Sequence, residues 1–235
     1  MASEKRTNGD SIHEQLDQLE MQGRIPCDTR VAGTTQVRWQ WDEYPSGVHY
    51  GAPMAPEPLG RYNDPTGRTG VCYTADYAAA AIAESLGRVY QRGKDEFTLG
   101  LSDLHKAQMY TLKTTRDTTT INMTKLQGML HITADQTMGD DSSITQAITN
   151  WASNTPGLMY DGVSYSSRHY GVGMCTAYWS REGETGPLAD VTHSPVHLYV
   201  DTNPENFPQN WSEDDIDGFE IVVETLRFEV SADDS

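Results

Sequence analysis

Apolar residues recur at helical spacing in three stretches of this 235-residue chain. Ile12, Leu16 and Leu19 predict a helix over 11–22 behind Ser11 as N-cap. Ala79, Ile82, Ala83 and Leu86 predict a second, from Asp76 as N-cap to Gly87 as its stop. Ile144, Ala147, Ile148 and Trp151 predict a third, opened by Ser142 and Ser143 and closed by Asn154, Pro156 and Gly157. Glu84 is adjacent in sequence to the apolar face of the second helix, not opposite it, which puts its carboxylate at the edge of a cleft.

Elsewhere the pattern has the period of strands. Over 37–44, Val37, Trp39 and Trp41 alternate with Arg38, Gln40 and Asp42, so Arg38 lies on the face opposite the tryptophans. Further strands are expected at 71–74, 108–114, 118–123, 158–165 and 173–180, with 196–200 and 219–230 closing the sheet. Arg116 and Asp117 turn the chain between 108–114 and 118–123. Residues 46–59, rich in proline, read as a loop able to lie across a cleft, and 63–70 as a turn shaped by Pro65, Gly67 and Gly70. The first ten residues are polar and expected to be disordered, and 201–217 reads as an acidic surface loop. One domain over 31–235 accounts for the pattern, behind an extension over 1–30 that is partly disordered or helical.

Charge narrows the partners. Lys and Arg number 17 against 34 Asp and Glu, and a formal net charge of -17 opposes nonspecific attraction to nucleic acid or an anionic membrane. Such acidity suits a soluble protein, a saline habitat or a toxin neutralised by a basic partner, and composition does not separate them. No apolar run approaches a membrane span, and the first residues, MASEKRTNGDS, lack the apolar core of a signal peptide. The expectation is a cytoplasmic protein, or one delivered into a target cell by a secretion system without a classical signal. Three cysteines make no disulfide framework, and seven scattered histidines lack ligand spacing, so no metal is expected. G-x-S-x-G, H-E-x-x-H and phosphate-loop motifs are absent.

What remains is a set of Arg, Tyr, Glu and Ser. It suits a substrate with anionic phosphates, a flat ring and a bond whose cleavage develops positive charge; a dinucleotide such as NAD has all three. Three motifs, in order, carry a family resemblance: Arg61-Tyr62-Asn63 in the turn, Tyr73-Thr74-Ala75 in the strand, and Ala81-Ile82-Ala83-Glu84 in the helix. A later segment, Gly162-Val163-Ser164-Tyr165-Ser166-Ser167, completes it. Together they resemble the RES domain family, named for its Arg, Glu and Ser, and Arg38-Trp39 is similar to that family's early Arg-aromatic strand. The resemblance spans roughly 37–180. It departs from the family where Met174 to Trp179 stand in place of a G-x-N-x-A-L-F strand, which leaves no matching Asn.

The resemblance implies an α+β domain of ADP-ribosyltransferase-like fold, a split, bent β-sheet core with surrounding helices. It also implies an NAD-consuming toxin that cleaves the nicotinamide-ribosyl bond, as an NAD glycohydrolase or phosphorylase, with NAD as substrate, no further cofactor, and a cognate antitoxin or immunity protein. Protein ADP-ribosylation and a non-catalytic binding module on the same fold stay open. In this reading Glu84 stabilises the developing charge, Arg61 and Arg38 clamp phosphates, Tyr73 stacks on the nicotinamide and Ser167 bonds its amide or a ribose hydroxyl. Each has a plainer alternative: a surface ion pair for Arg61, an edge-strand arginine for Arg38, strand packing for Tyr73, an exposed helix glutamate for Glu84 and a loop cap for Ser167. Ser166, one position earlier, competes with Ser167 for the site.

Overall fold

The computed structural model describes residues 8–54, 59–92 and 98–232. The polar terminus before Asn8 and the loop prolines Pro56 and Pro58 lie outside them. In chain order the elements are α1 (Asn8–Met21), β1 (Cys27–Arg30), β2 (Thr35–Trp41), β3 (Thr69–Ala75), α2 (Ala78–Arg92), β4 (Thr98–Gly100), α3 (Leu101–Lys106), β5 (Ala107–Thr114) and β6 (Thr118–Asn122). They continue with α4 (Met123–Leu130), α5 (Ala134–Met138), α6 (Ser143–Asn154), β7 (Gly162–Ser166), β8 (Met174–Arg181) and β9 (Leu188–Pro195), then β10 (Val200–Asp201), β11 (Ile216–Asp217), α7 (Gly218–Glu220) and β12 (Glu229–Ser231). The fold is α+β around an eight-stranded sheet ordered β1-β6-β7-β8-β3-β2-β5-β9.

That sheet cannot be flat. β1 and β2 stand five strand positions apart, roughly 24 Å in a flat sheet. The chain from Arg30 to Thr35 reaches at most about 18 Å, so the sheet curls until its parts approach. The same ribbon makes the curl: β1 on β6 and β2 on β5 keep one antiparallel register, from Cys27 opposite Ile121 to Trp41 opposite Ala107, interrupted only by a bend at 31–34. Gly33 (φ 86°) turns there and donates to the Thr114 carbonyl, while Ala32 N–H bonds Asp117. Arg116 and Asp117 do not close a hairpin: they carry the chain past the bend, from β2's partner to β1's.

The split lies between β2 and β3. These strands pair only at Val37 opposite Ala75 and then diverge, so Trp39 and Tyr73 face one another across a gap. The described part of the loop, 46–54, fills the back of that gap rather than crossing its mouth. Gly51 pairs with Val71 on the edge that β2 has left, and Val48 and Tyr50 pack on Cys72, Tyr110, Tyr178 and Leu188.

Helix α2 closes the other side of the split, and it differs from its expected form at both ends. Asp76 does not cap it; its carboxylate takes Arg30 (2.9 Å) and Gln36 (2.9 Å) instead. Gly87 does not end it, because the helix runs to Arg92, and the reason for a glycine is packing: a Cβ there would meet the His169 ring at 2.3 Å. Ala78, Ala79, Ala80, Ala81, Ile82 and Ala83 are all buried, so the first turns are covered on every side, and Glu84 is where solvent first reaches them.

Two further expectations change. The boundary at 30/31 divides nothing: β1 belongs to the main sheet, and α1 buries Ile12, Leu16 and Leu19 in the common core against α6, with Trp151 donating to Asp17 at 2.8 Å. The sheet closes on β9, not on 196–200 or 219–230. Val196–Leu198 is a 3-10 turn, 218–225 is helical, and β12 pairs with β4. A reciprocal cap, with Asp217 accepting from Glu220 N–H and Glu220 from Asp217 N–H, overrides the β-branched Ile221-Val222-Val223. Residues 213–215 are exposed. Among the described residues no helix is long and apolar enough to cross a membrane, and the three cysteines are unpaired.

The turn before β3 hangs on Asp64, which is 1% exposed. Its carboxylate accepts from Thr66 (N–H and hydroxyl), Arg68 N–H, Thr69 N–H and Asn150. Burial pushes its pKa up, but these hydrogen bonds outweigh it and hold the group below the ordinary carboxylate value; Ser164 and Asn122 do the same for Asp28. A depressed folded pKa contributes stability that is complete above the unfolded value, about 3.9, and is lost as pH falls through the folded value. Urea unfolding midpoints are therefore expected to drop steeply below about pH 4, and Asp64→Asn is expected to flatten that drop. An equally steep drop in the variant refutes this role for Asp64.

Candidate active site

Four chain segments meet at the mouth of the split. The turn at Gly60–Asp64 is shaped by Asn63, whose Oδ1 accepts Gly60 N–H (2.6 Å), and by the Tyr73 hydroxyl, which accepts Tyr62 N–H (3.0 Å). Helix α6 fixes the turn from outside: Thr145 donates to the Arg61 carbonyl (2.6 Å) and Gln146 to that of Gly60 (3.2 Å). So anchored, the turn aims Arg61 inward, where it is 7% exposed. Its guanidinium lies 5.0 Å from the centre of the Tyr165 ring and 5.4 Å from that of Tyr62.

Glu84 is held at both oxygens. Arg61 donates to Oε2 at 3.1 Å, while Oε1 accepts from the Ser167 hydroxyl (2.9 Å) and the Arg168 N–H (2.6 Å). Ser167 itself accepts the N–H groups of His169 (3.3 Å) and Tyr170 (2.9 Å), which fixes the turn after β7. Ser166, one position earlier, faces Thr124 and the Met174 sulfur instead. Along β7 (Gly162–Ser166), Val163 and Tyr165 share one face by strand alternation, and this signal was available for Tyr165, which was not singled out in the sequence.

The cleft beside this cluster, about 130 Å³, is lined by Trp39, Tyr73, Ala81, Glu84, Tyr165 and Cys175, among others. Burial, and after it the Glu84 charge, pushes the Cys175 thiol well above its ordinary pKa, so it is no nucleophile at neutral pH. Burial likewise raises Tyr165, a neutral phenol at neutral pH. Arg38 borders the cleft but does not join the cluster. Its guanidinium is turned to the far face, on the carbonyls of Gly47 (3.1 Å) and His49 (3.2 Å) and the Cys72 sulfur (2.8 Å), because alternation along β2 sets it opposite Trp39. A larger opening, about 710 Å³, lies beside Asn154–Met159. Its arginines are already engaged: Arg116 by Asp161, and Arg181 by Glu184 and the carbonyls of Ser153 and Tyr160. Among the described residues, no three His, Cys, Asp or Glu side chains are grouped to hold a metal ion.

With Arg61 and Ser167 both bonded to Glu84 and Tyr73 lining the cleft beside it, the chain also matches a family model, the RES domain, over residues 29–201. The chain belongs to the RES domain family. No curated protein matches it. Among solved structures, one chain of the M. tuberculosis MbcT–MbcA toxin–antitoxin complex is similar, with a TM-score of 0.57 and 19% identity over 94% of this chain and 98% of that one. At that identity the likeness speaks for the fold. The RES domain here runs from β1 to β10 and so takes in the whole bent sheet, and α1 and the segment after Asp201 pack on it from outside the match.

Proposed function

We propose that this RES domain protein is an NAD-consuming toxin that breaks the nicotinamide-ribosyl bond and is held in check by a cognate antitoxin. The observation that carries the reading is the Glu84 carboxylate, fixed by Arg61, Ser167 and the Arg168 N–H at the lip of an aromatic cleft. Loss of nicotinamide leaves positive charge on the ribosyl carbon and its ring oxygen. A carboxylate whose position is already set stabilises that charge without reorganising. Trp39, Tyr73 and Tyr165 supply flat apolar walls for the leaving ring. Ser167, donating to Glu84, both orients the carboxylate and stands within reach of a ribose hydroxyl or the amide.

The cleft is well below the roughly 300 Å³ at which drug-sized pockets begin, so the nicotinamide end enters and the rest of the dinucleotide runs out over the surface. The solved neighbour is a toxin–antitoxin complex, which supports the same arrangement for this chain, and the acidity of the surface favours a basic antitoxin.

The acceptor of the ribosyl group distinguishes the possible reactions. Incubation of the purified protein with NAD, with and without phosphate, followed by mass spectrometry of both small molecules and protein, is expected to give free nicotinamide with ADP-ribose or its phosphorylated form. A mass increase on protein would point to transfer instead. Intact NAD over a folded protein would overturn the enzymatic reading.

A further inference from the structure

A dinucleotide carries a diphosphate, and a chain of net charge -17 repels it unless a cation stands beside the site. The two arginines expected to do this are committed elsewhere. Arg61 is buried against two tyrosines and spent on Glu84, and Arg38 is turned to the far side of the sheet. The geometry points to Arg168 as the residue that takes the diphosphate. This rests on the reading above of an NAD-type substrate in the cleft.

Arg168 sits where such a group has to be. Its own N–H is bonded to Glu84 Oε1 at 2.6 Å, so its backbone is fixed beside the reacting end of the site. In NAD the diphosphate lies one ribose away from the bond to nicotinamide, and an arginine side chain spans about that distance. The guanidinium is partly open, at 24% side-chain exposure. Among the described residues the carboxylate it meets is Asp140, at 3.4 Å, on a side chain that is itself fully exposed. An exposed pair of that length contributes little and exchanges readily. A diphosphate offers the guanidinium fork two oxygens and more charge, so it displaces Asp140. Asp140 then acts as a stand-in for the diphosphate at Arg168.

Two substitutions with opposite signs test this by calorimetry, with ADP-ribose as the phosphate-bearing probe and nicotinamide riboside as the phosphate-free one. Arg168→Ala is expected to weaken ADP-ribose about tenfold to a hundredfold, the range for hydrogen bonds to a charged group, and to leave nicotinamide riboside unchanged. Asp140→Asn, at an exposed position that the fold does not depend on, is expected to tighten ADP-ribose by about two- to fivefold. Unchanged ADP-ribose affinity in Arg168→Ala overturns the assignment, as does an equal loss for both probes, which would mean that the residue acts only through its backbone and Glu84. Wild-type protein that binds neither probe would overturn the reading of the substrate itself, an outcome distinct from failure of Arg168 alone.

Discussion

Glu84→Gln is expected to lower NAD turnover by about a hundred- to a thousandfold, the range for removing one preorganised group that stabilises transition-state charge. The amide keeps the shape of the side chain and one acceptor oxygen. That oxygen can still receive Ser167 and Arg168 N–H, so the turn after β7 is expected to stay in place. What is lost is the negative charge, together with the acceptor facing Arg61 (3.1 Å), where the amide would present donors to a donor. Stability is therefore expected to fall as well, by about 3–5 kcal/mol, because the buried Arg61 charge is left without its partner. The effect should appear in kcat more than in KM, since Glu84 acts on charge that develops during the reaction. Expression of the wild type should drain cellular NAD before growth stops, and the variant should do neither. Near-normal turnover by a folded Glu84→Gln protein would remove Glu84 from the mechanism, and growth arrest at constant NAD would remove NAD depletion.

The local signals in the sequence were sound where one element decides its own conformation. The 3-4 spacing of Ile12, Leu16 and Leu19 and of Ile144, Ile148 and Trp151 yields α1 and α6, and the alternation over 37–44 gives both β2 and the side that Arg38 takes. That alternation already implied that the Arg38 guanidinium leaves the face of Trp39, and it does so, onto the carbonyls of Gly47 and His49. Edge strand β9 was illegible because most of its residues between Leu188 and Ser194 are exposed, which leaves no apolar alternation to read. Gly87 looked like a helix stop because its requirement comes from His169, 82 positions away and invisible to local pattern. The candidate site divides in the same way. Arg61, Glu84 and Ser167 were identifiable by type and order, whereas the groups that aim them, Thr145 and Gln146 on α6 and the Arg168 N–H, act through contacts more than 80 residues long.

Arg61→Ala is expected to be the most destabilising single change at the site, by about 3–5 kcal/mol, the cost of breaking a buried ion pair by removing one partner. The magnitude follows from burial: the Arg61 side chain is 8% exposed and that of Glu84 is 20%, so water can solvate the abandoned carboxylate only in part. Truncation also uncovers the packed pair of Tyr62 and Tyr165 rings, whose centres are 4.5 Å apart and against both of which the guanidinium lies. Arg61→Met separates the two contributions, because it fills much of the volume and restores no charge. If electrostatics dominate, Arg61→Met should cost nearly as much as Arg61→Ala, and Arg61→Met combined with Glu84→Gln should be more stable than the two single losses added together. A coupling of about 1–3 kcal/mol is expected for residues in direct contact. Urea midpoints at constant m-value measure it. Strict additivity would mean that the pair does not hold the turn at Gly60–Asp64 against α2, and that Thr145 and Gln146 alone keep Arg61 in place.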